Sequence, residues 1–356
     1  MMTDFIHTEV YQQLMKGGFI PAHPLALNSD LTIDEAAHRR LTRYYLASGV
    51  DGIAIGVHTT QFEIRDPQFN YYRQVLEITA DELALSGKVD SLIKVAGICG
   101  PEKQALEEAE IARSLGYDLG LLSMGGLNHL SEAELLERTR KVAEIIPVFG
   151  FYLQPSVGGR ILSYDFWKEF CNIPRVYAIK TAPFDRYHTL DVVRAICHSV
   201  REPEIALYTG NDDNIINDLI TPYRFNVDGR IIDKRFAGGL LGHYAVWTSK
   251  SVALFHRVKE GIRRGDLDYT SLLQTAMEVT DMNAALFDVA HRFKGSIAGI
   301  HEVLKRQGLL RGTWCLSPEE KLSEGQSAEI ERVIRAYPHL VDDDFIREFL
   351  ANDKQS

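Results

Sequence analysis

The chain has 356 residues, of which 45% are hydrophobic and 25% are charged, and its formal net charge is −10. This length and balance are those of a globular protein with a full hydrophobic core, and they exclude a disordered or fibrous chain. The sequence has neither a basic cluster nor an apolar run of about 20 residues, which argues against nucleic-acid and membrane partners.

The first 18 residues lack the basic start and apolar core of a signal peptide, so we expect a cytoplasmic protein. The four cysteines, at positions 99, 171, 197 and 315, show no paired spacing. Neither a zinc site nor a disulfide framework is therefore indicated.

Eight short apolar segments recur through the first two thirds of the chain. Most are near-continuous runs of Val, Ile, Leu and aromatic residues, which is typical of parallel strands covered on both faces. They lie at residues 18–27, 50–57, 91–98, 118–123, 147–153, 175–181, 204–209 and 237–246.

Charged amphipathic segments separate these runs, and those at 32–48, 101–116 and 131–145 begin with residues typical of helix starts. Thr32 is the expected N-cap of the first of them. In the last of them Ser131 and Glu134 form a capping box. A strand followed by a helix, repeated eight times, predicts an α/β fold of the (β/α)8 TIM barrel type. A doubly wound open sheet is the alternative.

No strand signal returns after the eighth run, and residues 247–263, 268–286, 289–308 and 316–336 are predicted to be helices. We therefore expect a barrel over residues 1–246 and a C-terminal helical bundle over 247–356. The segment near 221–236 does not fit the repeat, which indicates an inserted loop or hairpin.

Two polar side chains end neighbouring predicted strands. In a barrel of this class the reacting groups project from the C-terminal ends of the strands. Lys180 closes the run RVYAIK, and burial there lowers the pKa of the amine and prepares it to attack a carbonyl. Tyr152 ends the preceding strand, where a phenol is placed to move protons. The alternatives are a lysine that reaches solvent and a tyrosine that only packs.

Three segments carry a resemblance to a known family. GVDGIAIGVHTTQFE, FYLQPSVGG and YAIKTAPFD resemble the dihydrodipicolinate synthase and N-acetylneuraminate lyase family of class I aldolases. Lys180 follows Tyr152 by 28 positions, which matches the family spacing, and the likeness extends from about residue 17 to 336. The resemblance implies a barrel with a C-terminal helical bundle, assembled as a homo-oligomer, either a dimer or a tetramer.

The resemblance also implies roles for individual residues. Lys180 is expected to form a Schiff base with pyruvate or another 2-oxo acid, and Tyr152 to transfer protons. Thr59 and Thr60 are expected to hold the carboxylate through hydroxyl and backbone N–H groups. We expect neither a metal nor an organic cofactor, because the imine itself withdraws electrons.

The sequence also departs from the family pattern. The family's GTTGE is HTTQF at residues 58–62, and the arginine that follows Pro-Ser in the synthase is Val157. The synthase's tyrosine pair after the fourth strand is replaced by SMGG at residues 123–126. Because valine forms no ion pair with a second carboxylate, we expect an enzyme other than dihydrodipicolinate synthase.

Five further positions are candidates for substrate contacts. His23 and His58 lie at strand ends and could replace the tyrosine pair, which is part of the synthase's proton relay, or they are hydrogen-bonded packing residues. Ser156 follows the fifth strand, and Gly210 and Asn211 end the seventh, where they offer backbone or amide contacts. The sequence has no HExxH run, which disfavours a metal-dependent aldolase.

The predicted function is a class I lyase or aldolase that acts on pyruvate or another 2-oxo acid through an imine on Lys180. Two alternatives stay open. One is dehydration of a 2-keto-3-deoxy sugar acid by the same imine mechanism. The other is a 2-oxo acid-binding or sensor protein that has lost catalysis.

Overall fold

The structure is a computed structural model that describes residues 6–87 and 92–353. The strands within this part of the chain are short, and all except the two strands of the segment 221–236 lie within or overlap a predicted apolar run. They are β1 (Phe19–Pro21), β2 (Gly52–Ile55), β3 (Ile93–Ile98), β4 (Leu119–Ser123), β5 (Val148–Leu153), β6 (Val176–Ala182), β7 (Ala206–Thr209), β8 (Tyr223–Val227), β9 (Arg230–Lys234) and β10 (Gly238–Leu241).

Helices separate most of the strands and fill the C-terminal part of the described chain. They are α1 (Thr8–Lys16), α2 (Glu35–Ser48), α3 (Tyr72–Leu85), α4 (Glu102–Ser114), α5 (Glu132–Ile145), α6 (Tyr164–Asn172), α7 (Arg186–Cys197), α8 (Ile215–Ile220), α9 (Thr248–Arg264), α10 (Tyr269–Leu286), α11 (Ser296–Arg306), α12 (Gln326–Ala336) and α13 (Asp343–Asp353).

Eight parallel strands form one sheet in the order β1-β10-β7-β6-β5-β4-β3-β2. A parallel bridge between Ala22 and Ala54 joins the β1 end of this order to β2. Every residue of β4, β5 and β6 is buried, as expected for strands covered on both faces. The alternation of strands and helices, followed by α9 to α13, confirms the predicted (β/α)8 barrel fold with a C-terminal helical extension.

The chain divides into two compact units. The first comprises Met1–Gly18 and Asp90–Leu240, and the second comprises Phe19–Val89 and Leu241–Ser356. Strands β3 to β7 belong to the first unit, whereas β1, β2 and the C-terminal helices belong to the second. The division into residues 1–246 and 247–356 stays a prediction.

The inserted segment near 221–236 is a hairpin, which is one of the two forms expected. Strands β8 and β9 pair antiparallel from Tyr223 opposite Lys234 to Val227 opposite Arg230. The turn between them has positive φ at both central residues, 50° at Asp228 and 83° at Gly229. An Asp-Gly turn of this kind matches the twist of the two strands.

Helix starts were predicted with mixed success. The capping box at the start of α5 is confirmed, because Ser131 accepts from the Glu134 N–H and the Glu134 carboxylate accepts from the Ser131 N–H. The helix predicted over 32–48 begins at Glu35, with Asp34 as its N-cap instead of Thr32.

Two of the predicted C-terminal helices are shorter than expected. The helix predicted over 316–336 starts only at residue 326, after Gly325, whose φ of 82° is not helical. In the segment before it, the Glu320 carboxylate accepts hydrogen bonds from the N–H groups of Ile297 and Ala298 at 2.8 and 3.2 Å. The helix predicted over 289–308 starts at residue 296, since Arg292 and Phe293 have positive φ and interrupt it.

Among the residues that the structure describes, no helix is both long and apolar enough to cross a membrane.

Candidate active site

Lys180 lies inside the first unit, on the long strand β6. Its Cα is paired with that of Phe151 on β5 and with that of Tyr208 on β7. The residue is only 7% exposed, and its Nζ lies 4.4 Å from the centroid of the Phe151 ring. The amine therefore rests on an aromatic face, an arrangement that stabilises a cation where water is scarce.

Burial gives this amine unusual acidity. It lowers the pKa of Lys180 to about 8, and the carboxylate of Asp212 opposes the shift by favouring the ammonium form. A lysine with an ordinary pKa of about 10.4 is almost entirely protonated near neutral pH. Lys180 instead holds an appreciable fraction of the neutral amine, which is the nucleophilic form.

Gly210 makes room for this lysine. A Cβ atom at position 210 would lie 2.5 Å from Cε of Lys180 and 2.8 Å from Cβ of Ala182. The Gly210 N–H donates to the Thr181 carbonyl at 2.8 Å, which fixes the backbone at the end of β7 against β6. The structure thus brings Gly210 into contact with the predicted nucleophile.

Asn211 is buried, and both ends of its amide bind within the protein. Oδ1 accepts from the Phe184 N–H at 3.1 Å, and Nδ2 donates to the Asp218 carboxylate at 2.9 Å. Phe184 has a positive φ of 52°. Asn211 therefore ties the chain that follows β6 to the chain that follows β7. Its predicted contact with a substrate stays a prediction.

Sequence reasoning missed Asp218, which is the centre of this network. Its side chain is fully buried and accepts five side-chain hydrogen bonds. The donors are Arg186 at 2.6 Å, Thr209 at 2.7 Å, Asn211 at 2.9 Å, Asn214 at 2.9 Å and the Tyr223 hydroxyl at 3.5 Å. The spacing of Asn214 and Asp218 at the start of a helix is the only signal in the sequence that pointed to it.

Tyr152 and Lys180 lie on neighbouring strands, as expected, but on opposite faces of the sheet. Tyr152 is paired with Thr181, one position after the pair formed by Phe151 and Lys180, and successive residues of a strand alternate between faces. The ring centroid of Tyr152 lies 5.1 Å from that of Trp167 on α6. The structure therefore does not bring the phenol to the face that carries the amine.

The Tyr152 hydroxyl is engaged elsewhere. It accepts from the Leu162 N–H at 3.3 Å and lies 3.5 Å from the Leu162 carbonyl oxygen. Burial raises the pKa of Tyr152, so the phenol stays protonated. The segment between Tyr152 and Leu162 includes the exposed Ser156, which lies in the 3-10 turn Pro155–Val157.

The threonine pair lies in the second unit, in the turn that follows β2. The Thr60 hydroxyl accepts from the N–H groups of Gly56 at 2.9 Å and Val57 at 3.2 Å, and it donates to the His23 carbonyl at 2.8 Å. The Thr59 hydroxyl makes one longer hydrogen bond, of 3.3 Å, to the same carbonyl. Thr60 thus builds the turn, and Thr59 has the less committed hydroxyl.

The His23 ring is fully buried and both of its nitrogens have partners. Nδ1 lies 2.7 Å from the Pro24 carbonyl, and Nε2 lies 3.1 Å from the Thr42 hydroxyl. Burial lowers the pKa of His23 to about 4, so the ring is neutral near pH 7. These contacts favour the packing alternative for His23. His58, by contrast, is partly exposed.

Gln61 was missed as a candidate, although it stands where the family has a glycine. Its φ of 71° lies in a region that favours glycine. Its side-chain oxygen accepts from the Leu316 N–H at 2.5 Å, and its Nε2 is buried without a hydrogen-bond partner among the described residues. The departure from GTTGE was the signal that could have found it.

Within residues 6–87 and 92–353, no group of three or more His, Cys, Asp or Glu side chains is placed to hold a metal ion.

The chain belongs to the dihydrodipicolinate synthetase family, whose model matches residues 15–222. It is 27% identical over 206 residues to the N-acetylneuraminate lyase of Citrobacter koseri, covering 57% of this chain and 65% of that relative's length. It is 23% identical over 321 residues to the N-acetylneuraminate lyase of Enterobacter sp. strain 638, covering 89% and 96%.

Solved structures show the same fold. The dihydrodipicolinate synthase of Oceanobacillus iheyensis has a TM-score of 0.73 at 18% identity, covering 92% of this chain and 99% of that one. The N-acetylneuraminate lyase of Fusobacterium nucleatum complexed with pyruvate has a TM-score of 0.68 at 18% identity, covering 91% and 98%. The expected family is thus confirmed, and the low identities mark this chain as a divergent member.

Proposed function

We propose that this protein is a class I lyase in which Lys180 forms an imine with pyruvate or another 2-oxo acid. Membership of the dihydrodipicolinate synthetase family and the N-acetylneuraminate lyase relatives support a lyase. The observation that carries the imine is the burial of Lys180, which lowers the pKa of its amine to about 8. A neutral amine on a buried strand is the group that imine formation requires.

The chemistry follows from this amine. The nitrogen of Lys180 attacks the ketone carbon, and the carbinolamine that results takes up a proton and loses water to give a protonated imine. This cation withdraws electrons from the neighbouring carbon, so a proton can leave that carbon for solvent and an enamine forms. In cleavage, the hydroxyl one carbon further along loses its proton to solvent, the bond between these two carbons breaks, its electron pair forms the enamine, and the far fragment leaves as an aldehyde. The Asp212 carboxylate, which already favours the charged form of Lys180, stabilises the protonated imine by the same attraction.

The proposal includes a role for Thr59 but not one for Tyr152. The carboxylate recognition that the resemblance assigns to the threonine pair falls mainly to Thr59, because the Thr60 hydroxyl already makes three hydrogen bonds. Proton transfer by Tyr152 at the imine is not part of the proposal, because the Tyr152 hydroxyl binds Leu162 and its side chain lies on the face opposite Lys180.

Among the reactions open to such an imine, we propose cleavage of a carbon–carbon bond that releases pyruvate. The relatives named N-acetylneuraminate lyase support this choice, as does a solved lyase of the same fold that binds pyruvate. Loss of the synthase's arginine, replaced by Val157, weighs against dihydrodipicolinate synthase chemistry. The predicted homo-oligomer and cytoplasmic location stay predictions.

The proposal is tested by trapping the imine. The protein is incubated with pyruvate and borohydride, which delivers hydride to the carbon of the imine and leaves a stable secondary amine. We expect one pyruvate-derived mass increment, mapped to Lys180 and absent from Lys180→Ala. Lys94→Ala, which alters another strand lysine on β3, serves as the matched control and should react like the wild type.

The products then separate the three candidate functions. With a 2-keto-3-deoxy sugar acid, release of pyruvate and an aldehyde supports the lyase, whereas loss of one water molecule supports the dehydratase. An adduct on Lys180 without turnover of any 2-oxo acid supports the binding protein. If neither pyruvate nor a longer 2-oxo acid gives an adduct, the imine proposal is wrong.

A further inference from the structure

Exposed apolar side chains are concentrated on one helix of the C-terminal extension. Ten large hydrophobic side chains are exposed in the part of the chain that the structure describes, and three of them, Tyr269, Leu273 and Met277, lie on α10 with exposed fractions of 50%, 53% and 58%. A fourth, Val289, lies three positions after the end of α10. Single apolar residues on a surface are ordinary, whereas a contiguous group marks an interaction site.

The exposed side chains of α10 form one stripe along the helix, here called the α10 stripe. Tyr269, Leu273, Met277, Thr280 and Ala284 lie within an arc of about 80°, because a helix turns by about 100° per residue. The last four are spaced by 4, 3 and 4 positions, the alternation with which one helix contacts another along its length. Thr280 is partly exposed and Ala284 is exposed, so the stripe faces solvent over its whole length.

The other side of α10 is already packed. Leu272, Val279 and Met282 are buried. At the border of the stripe, the Asp281 carboxylate accepts hydrogen bonds from Nη1 and Nη2 of Arg332 on α12 at 2.8 and 2.9 Å. A helix that is apolar on two sides normally lies between two partners, and the described part of this chain supplies one of them.

Side-chain sizes along the α10 stripe suit a second copy of this chain. The large side chains lie toward the start of the helix, and the small ones, Thr280 and Ala284, lie toward its end. In a two-fold symmetric pair the same surface of both copies is in contact, so antiparallel helices bring the start of one stripe against the end of the other. When Met277 lies opposite the partner's Thr280, Leu273 lies opposite the partner's Ala284. Each contact then joins a large side chain to a small one, which fills the space between the helices.

The charges at the two ends of α10 are complementary in the same arrangement. Exposed Asp266 and Asp268 lie at the start of the helix, and exposed Arg292 and Lys294 follow its end. Asp268 and Arg292 form no ion pair within the described part of the chain, whereas Asp266 and Lys294 each have one ion-pair partner, at 3.2 and 4.0 Å. Antiparallel pairing brings the acidic end of one copy beside the basic end of the other, and it also aligns the two helix dipoles favourably.

We propose that the α10 stripe is an interface at which two copies of this chain pair antiparallel about a two-fold axis. α10 has 18 residues and is therefore about 27 Å long. One helix pair of this length gives an interface at the small end of the stable range, so the association depends on protein concentration. The interface uses none of the residues of the proposed imine site and does not depend on that function.

The test is the mass of the full-length protein, measured by sedimentation equilibrium over a range of protein concentrations. Met277→Asp places a charge in the middle of the stripe, at an exposed side chain, so the fold should be kept while the mass at high concentration falls twofold. Ile231→Asp, at an exposed apolar position of the hairpin, is the matched control and should keep the wild-type mass. Lys180→Ala should also keep it, which separates this interface from the proposed imine.

Two mixtures of variants test the symmetry and the orientation. Met277→Asp mixed with Met277→Lys should recover the wild-type mass, because opposite charges then meet near the two-fold axis. Under mild oxidation, Leu273→Cys mixed with Ala284→Cys should give a disulfide-linked dimer joined through these two positions, identified by peptide mass spectrometry. Leu273→Cys alone should not link to itself, since the two copies of position 273 lie about 16 Å apart along antiparallel helices.

The proposal is overturned if the wild-type protein is monomeric at every concentration, or if folded Met277→Asp keeps the wild-type mass. A Leu273→Cys variant that links to itself through position 273 overturns the antiparallel arrangement. Circular dichroism checks the fold of each variant, and the wild-type mass and the disulfide mapping decide even where Met277→Asp fails to fold.

Discussion

The side-chain oxygen of Gln61 accepts a hydrogen bond from the backbone N–H of Leu316, 255 positions further along the chain. This bond ties the turn that carries Thr59 and Thr60 to the segment before α12. Gln61 holds a φ of 71°, where a side chain is strained and glycine is not. The hydrogen bond offsets that strain in a position that the family fills with glycine.

Substitutions at Gln61 separate the strain from the hydrogen bond. Gln61→Ala leaves the buried Leu316 N–H unpaired and should lower the free energy of unfolding by about 1–3 kcal/mol. Gln61→Gly loses the same bond but relaxes the backbone, so it should be about 1 kcal/mol more stable than Gln61→Ala. Urea denaturation measures this order.

Gln12→Ala, at an exposed position, is the control and should change the free energy of unfolding by less than about 0.5 kcal/mol. A Gln61→Ala variant as stable as the wild type contradicts the role given to the hydrogen bond.

The rate of imine formation should depend on pH through Lys180. Because burial lowers the pKa of this lysine to about 8, the fraction of neutral amine, and with it the rate, should rise with pH and level off above about 8. Asp212 raises the pKa of Lys180, so Asp212→Asn should move the midpoint to lower pH. Borohydride trapping at short times with pyruvate measures both profiles.

Asp228→Asn, at the exposed tip of the hairpin, should leave the midpoint unchanged. The same midpoint in Asp212→Asn and in the wild type would show that this carboxylate does not act on the lysine.

Gly210→Ala should disturb the nucleophile directly. The new Cβ would lie 2.5 Å from Cε of Lys180, so the lysine has to move. We expect a destabilisation of about 1–3 kcal/mol and a clear loss of the pyruvate adduct. Gly229→Ala, in an exposed turn with φ of 83° and open space around it, controls for the loss of a glycine and should keep the adduct. An unchanged yield of adduct in a folded Gly210→Ala variant would contradict the close contact between residue 210 and Lys180.

Tyr152→Phe tests whether the phenol transfers protons at the imine or only forms a hydrogen bond with Leu162. From its hydrogen bond with Leu162 we expect a loss of stability of about 1 kcal/mol, an intact pyruvate adduct on Lys180, and turnover that falls less than tenfold. A proton-transfer role at the imine predicts instead a fall of about 10²–10⁴-fold. Steady-state kinetics decide between the two, and Tyr177→Phe, on β6, is the matched control.

The sequence determined the fold class, the family and the position of the lysine. Parallel strands buried on both faces leave apolar runs that are visible in one dimension, and eight of them separated by capped helices predict the barrel. The run RVYAIK placed Lys180 on β6, and its burial gave the expected direction of the pKa shift. These features depend on local composition and spacing, which the sequence displays.

Tertiary structure alone decided where the other side chains point. The pairing of β5 with β6 shifts by one residue between Val148 and Phe149, and a shift of one residue reverses the face of every side chain that follows. No residue type in the sequence indicates such a shift, so Tyr152 was expected beside Lys180. Gln61 and Leu316 meet only after folding, because their hydrogen bond joins residues far apart in the chain.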